Sequence, residues 1–200
     1  MEMSGCCWAG GYGRPLKDVA SLCCEGDETI RATVVGAGAY STELSGSTVF
    51  YRGVEFPVHN LPVIRLTAEE ETLEKAAAAI QRKLNWFADE SGPTQVALAL
   101  RGEQAPTYGQ VLSWAQTLAE GLRPLRDRGL FPVVLTEHDM AKALGQALAG
   151  LCPGPVLTLD GVAAEEGDYV DIGAPVAGGA ALPVVIKTLV FDETRGRQGN

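Results

Sequence analysis

Glycines and acids are the residues in this sequence whose spacing could do chemistry. Residues 30–46 read Ile-Arg-Ala-Thr-Val-Val-Gly-Ala-Gly-Ala-Tyr-Ser-Thr-Glu-Leu-Ser-Gly, with Gly36 and Gly38 behind a β-branched run. Such a pair lets the backbone approach a phosphate, and an acid about 20 residues further on can hold a ribose hydroxyl. Glu55 lies 19 residues after Gly36. Two features weaken this dinucleotide reading. Ser41 stands at the third glycine position, and only residues 39–46 separate the loop from a hairpin, so a pyrophosphate has no long helix N-terminus to rest on. The glycines can equally form an adenosine-contacting loop. Alternatively the segment is a helix capped by Asp27 or Thr29, with Ala32, Gly36 and Ala39 on one face and Gly46 closing it. Thr33, Val34 and Val35 prefer strands, but the helix is favoured, and Gly36 and Gly38 stay as nucleotide-proximal candidates.

Elsewhere the candidates are thinner. Thr136-Glu137-His138-Asp139 falls at a strand-to-helix junction, where parallel sheets open clefts. The plainer reading, a helix capped by Thr136 whose acids suit the positive end of the dipole, is preferred. The glycines at 167 and 173 suit tight turns around a short strand, and Lys187 falls inside a strand, so no prosthetic-group lysine is read there. His59 is solitary. Five cysteines, two adjacent pairs and Cys152, lack the Cys-x-x-Cys spacing of a zinc site and read as reduced thiols of a cytosolic protein. No residue is nominated as catalytic or as a metal ligand.

The elements that would position these residues are strands alternating with helices. Residues 47–58 alternate as a hairpin turning at Arg52-Gly53, and residues 60–64 run extended. Thr67 and Glu70 form a capping box for a helix to about Asp89, with Leu73, Ala77, Ile80, Leu84 and Phe87 on one face. A strand at 95–100 precedes a helix boxed by Thr107 and Gln110, with Val111, Leu112, Ala115, Leu118, Ala119 and Leu122 inward and Pro124 and Gly129 ending it. Strands at 131–135 and 155–159 flank a helix carrying Met140, Ala143, Leu144, Ala147 and Leu148, and an apolar strand runs over 182–191. This order predicts right-handed crossovers and a mainly parallel sheet in an α/β fold.

A chain of 200 residues with 46% hydrophobic content can bury a sizeable core, and its net charge of −9 argues against nucleic acid and anionic membranes. No apolar run reaches the roughly 18 residues a membrane-spanning helix needs, and the start Met-Glu-Met-Ser-Gly-Cys-Cys-Trp is no signal peptide.

The string Glu-Thr-Ile-Arg-Ala-Thr-Val-Val-Gly-Ala-Gly-Ala-Tyr-Ser-Thr-Glu-Leu-Ser-Gly-Ser-Thr-Val over residues 28–49 resembles the ethanolamine ammonia-lyase reactivating factors, the EutA family. The likeness resumes at Leu61-Pro-Val, Ala141-Lys-Ala-Leu-Gly, Gly167-Asp-Tyr-Val-Asp-Ile-Gly and Leu182-Pro-Val-Val-Ile-Lys-Thr-Leu-Val-Phe, covering about residues 28–191. The resemblance implies an actin-like ATPase relative that uses ATP and Mg2+ to release damaged cobalamin from ethanolamine ammonia-lyase, its partner, in a bacterial cytoplasm. Association with an ethanolamine microcompartment is compatible with it. It also implies an organisation: an irregular N-terminus over 1–27, the end of an actin-like core over 28–64, an α/β domain over 65–191 and a polar tail over 192–200. The phosphate loops of such ATPases begin Asp-x-Gly and carry Gly and Thr; Asp171-Ile172-Gly173 looks like such a start, but Ala174 and Pro175 follow where Gly and Thr are needed, so a C-terminal portion inactive as an ATPase by itself is expected. A fragment of a dinucleotide-binding oxidoreductase is the alternative.

Overall fold

The computed structural model describes residues 39–45 and 48–188. Four short apolar runs set its centre: β3 (Val58–Arg65), β6 (Ala97–Leu100), β7 (Val133–Thr136) and β8 (Val156–Asp160). They pair in parallel in that order, with Val63 opposite Ala97, Leu98 opposite Val134 and Leu135 opposite Leu159. Helices α1 (Ala76–Leu84), α2 (Tyr108–Gly121) with the short α3 (Arg123–Asp127), and α4 (Ala141–Leu151) make the three crossovers. Parallel crossovers share one hand, so all the helices lie on one face. Alternate strand residues Ile64, Leu98, Leu100, Val134 and Val156 point into that layer, against Ile80, Leu84, Leu118, Leu122, Leu144 and Leu148. Each of these side chains contributes roughly 1.5–3 kcal/mol relative to exposure. The expected α/β fold with a parallel core is present.

β4 (Ala88–Asp89) and β5 (Gly92–Pro93) form a separate two-stranded ribbon, and antiparallel strands extend the main sheet on both sides. β9 (Tyr169–Ile172) pairs with β3, β10 (Leu182–Thr188) with β9, and β1 (Ala39–Ser45) with β10, while β2 (Phe50–Arg52) pairs with β8. The order β1-β10-β9-β3-β6-β7-β8-β2 therefore puts β1 and β2 at opposite edges. Yet only residues 46–49 separate them in sequence. A flat eight-stranded sheet would hold its edges about 34 Å apart, whereas five residue steps span at most about 18 Å. The sheet must curl. Its concave face holds a second core, including Leu61, Val63, Leu135, Leu159, Val170, Ile172, Val184 and Ile186, with no helical residue among its fully buried members. Tyr51 of β2 reaches across to Gly179, just before β10, its hydroxyl 2.8 Å from where a Cβ on that glycine would stand.

Several sequence expectations are corrected. Residues 39–45, read as the end of a helix, form a strand, because β10 offers them a full antiparallel ladder from Ala39–Thr188 to Ser45–Leu182. Residues 47–58 make no hairpin with each other: Phe50 lies opposite Thr158 of β8 instead, although Gly53 has the positive φ of +64° expected of a turn. The regular helix begins at Ala76, not Thr67, leaving Leu73 exposed. In α2 the Thr107–Gln110 capping box forms as expected, but Trp114 is buried where Leu112 was expected inward. Pro124 opens α3 in its first turn, as proline can, rather than ending a helix.

A strapped crevice at the ends of the parallel strands

In a parallel sheet the C-terminal strand ends are the usual ligand crevice. Here the chain crosses that edge itself. Leaving β8, residues 161–168 pass over β7 and β3 to reach β9: Val162 N–H donates to Thr136 O (3.2 Å), Gly167 N–H to Val63 O (3.3 Å), and Val63 N–H to Asp168 O (2.8 Å). Val162 and Ala164 are buried beneath the strap. Asp168, itself buried, tightens it by accepting Glu165 N–H at 2.8 Å.

Two cations anchor the strap. Arg65, at the end of β3, donates to Ala164 O (2.8 Å), pairs with Glu165 (3.5 Å) and bonds Glu137. Lys83 of α1 is 5% exposed, pairs with Glu166 (2.7 Å) and Glu70 (3.6 Å), and lies 5.2 Å from the Trp86 ring centroid. Glu166 also accepts Arg65 N–H at 2.9 Å. Burial alone would raise the Glu70 pKa, but the Thr67 N–H, Lys83 and Arg82 outweigh it and hold the carboxyl below its ordinary value.

The strand-end tetrapeptide is divided among these tasks. Glu137 serves Arg65, and the Thr136 hydroxyl donates to His138 O at 2.9 Å. Thr136 ends β7 and does not cap α4, whose N-cap is Met140, so the capped-helix expectation fails there. Asp160, at the end of β8, accepts the Thr48 hydroxyl and interacts with Asp139. Burial first, and the neighbouring Asp139 second, push its pKa to about 6. On the helix side an open cleft of ≈ 560 Å³ is lined by residues including Pro106, Tyr108, Val111, Asp139, Met140 and Lys142.

Gly36 and Gly38 lie outside the described residues, but the strand Ala39–Ser45 follows them directly. A dinucleotide fingerprint needs a helix there. Asp171, the acid of the Asp-x-Gly look-alike, sits in β9 and accepts Asn60 N–H (2.7 Å) and the Lys187 ammonium (2.5 Å). Burial opposes its ionisation, yet these donors hold its pKa below the ordinary value. A carboxylate committed in this way is poorly placed to organise a magnesium ion. His59 is largely exposed, 3.7 Å from Asp171. Among the described residues no group of three or more His, Cys, Asp or Glu could hold a metal. Cys152 is buried, which raises its thiol pKa, and the other four cysteines lie outside the described residues. Sequence reasoning missed Arg65, Lys83 and the strap; the one available signal was the Glu165-Glu166-Gly167-Asp168 run, acids beside a turn glycine.

The family model described as "Ethanolamine utilisation protein EutA" matches residues 16–192. The chain belongs to the EutA family. It is 37% identical over 172 residues to the ethanolamine ammonia-lyase reactivase EutA of Escherichia coli K12 and 36% identical over 168 residues to that of Salmonella typhimurium LT2. Each match covers 82% of this chain and 34% of the relative, so the chain spans about a third of their length. No solved structure matches. The EutA assignment agrees with the resemblance carried by residues 28–49 and 182–191, and in this EutA chain the strapped edge belongs to a segment that the family model covers throughout. Among the described residues, no helix is long and apolar enough to cross a membrane.

Proposed function

We propose that the chain acts within a chaperone-like reactivating factor for ethanolamine ammonia-lyase, as an interaction module rather than the site of phosphate chemistry. The observation that carries this is the 37% identity, over 82% of the chain, to a relative named as that lyase's reactivase. The strapped crevice supports the second half of the reading: the edge where an α/β protein ordinarily takes its ligand is crossed by residues 161–168 and anchored by Arg65 and Lys83. Exchange of damaged for intact cobalamin, driven by ATP and Mg2+ in a bacterial cytoplasm, is the activity proposed for the complete factor. Its phosphate-binding loops are not assigned to any described residue.

Two measurements test the reading. In a pull-down, the chain retains purified ethanolamine ammonia-lyase; no retention in the presence or absence of bound cobalamin counts against an interaction module. In calorimetry the chain alone gives no ATP binding with Mg2+ present, and micromolar affinity would place nucleotide chemistry back within this segment.

A further inference from the structure

At the end of β6 the backbone turns through Gly102, at φ +78°, and three successive N–H groups, those of Arg101, Gly102 and Glu103, meet side-chain acceptors. Arg101 N–H (3.1 Å) and Gly102 N–H (2.6 Å) donate to the two oxygens of the Glu71 carboxylate. Glu103 N–H has only the Met140 thioether, at 3.4 Å, and sulfur is a weak acceptor. Successive main-chain donors in a turn form an anion-binding concavity. This one holds a carboxylate in the structure, and one of its donors remains poorly served. Met140 is also a wall of the neighbouring cleft, whose apolar lining includes Pro106, Tyr108 and Ala143 and whose rim carries Lys142 and Asp139.

Glu71 reaches the turn by its side chain alone. Residues 68–75 form turns between Thr67 and α1 that are tied down at Glu70 by Arg82 and Lys83, while Thr72, Leu73, Glu74 and Lys75 are exposed and half-buried Glu71 can leave by rotating about its own side-chain bonds. We propose that the amides of Arg101, Gly102 and Glu103 form an oxyanion site that Glu71 occupies at rest. The ligand is a small carboxylate or phosphate compound, its anionic group replacing Glu71 and its apolar body entering the adjoining cleft. The site takes a free anion in competition with a tethered one, so its apparent affinity falls by the fraction of time Glu71 is away.

The experiment is amide NMR of the 200-residue chain, titrated separately with acetate, benzoate and inorganic phosphate. In Glu71→Gln the Arg101, Gly102 and Glu103 amides shift saturably, with an apparent Kd at least about ten-fold below that of the unsubstituted chain. Glu71→Ala gives the same result without a side-chain amide competing for the donors. Benzoate binding more tightly than acetate assigns the cleft to the ligand's apolar body, and phosphate stronger than either identifies the phosphate class. Equal affinities in the unsubstituted chain and both variants, or no saturable shift at these three amides with any anion, overturns the proposal. Benzoate no tighter than acetate overturns the part concerning the cleft.

Discussion

Gly145 sits in the middle of α4, where helix propensity favours alanine over glycine by about 1 kcal/mol. The packing argues the other way. A Cβ at position 145 would lie 2.6 Å and 2.7 Å from Phe50 Cδ1 and Cβ, and closer still to the Thr158 hydroxyl oxygen. That hydroxyl donates to Ala141 O at 2.8 Å from a fully buried position, so it cannot retreat without losing its bond. Overpacking a core costs about 1–3 kcal/mol and a lost buried hydrogen bond about 1 kcal/mol more. Against the propensity gain, Gly145→Ala should destabilise by about 2 kcal/mol, a Tm drop of roughly 4–8 °C for a chain of this size. Gly150, in the same helix, meets nothing within 4 Å and has no positive φ, so Gly150→Ala should be neutral or raise stability by up to about 1 kcal/mol. Paired thermal and urea melts measure both. If Gly145→Ala is as stable as Gly150→Ala, the close approach of α4 to β2 and β8 is not what glycine serves, and the reasoning fails.

Arg52 donates to Ala149 O (2.8 Å), Cys152 O (2.8 Å) and Gly154 O (2.6 Å), satisfying carbonyls at the end of α4. Arg52→Ala should cost about 1–2 kcal/mol in urea denaturation, while Arg52→Lys, without the planar fork, recovers only part of it. Asp160 is raised from 3.8 to about 6 in the folded chain, so the native state binds the extra proton. Its contribution is therefore fully present below pH 3.8 and is lost as pH rises through about 6. The stability of the unsubstituted chain relative to Asp160→Asn should fall across that window and flatten above it; a difference that rises with pH would contradict the assignment.

What the sequence disclosed follows the range of the forces involved. The Thr107–Gln110 capping box is a contact between residues three apart, and it forms as read. The runs at 97–100, 133–136 and 156–160 are buried on both faces, and continuous apolar runs announce such strands. Residues 39–45 misled because their structure is set by β10, and residues 50–52 because their partner is β8 rather than their own neighbour. Local propensity carries no information about a ladder whose other half lies at the opposite end of the chain. The strap was hidden for a related reason: nothing local to Arg65 or Lys83 in the sequence shows that residues 161–168 are laid across them.

The curl of the sheet also sets an order on assembly. The segment from β3 to β8 can build up by successive short-range crossovers, each strand adding to the one just made. β1 has no such choice, since Ala39 must wait for Thr188. During synthesis the first strand of this sheet therefore emerges long before its partner and remains an open edge, a template for pairing with other chains, until β10 clears the ribosome. Closure of the curl has to wait for β10, and a variant that weakens β10 should reveal itself first as aggregation of nascent chains.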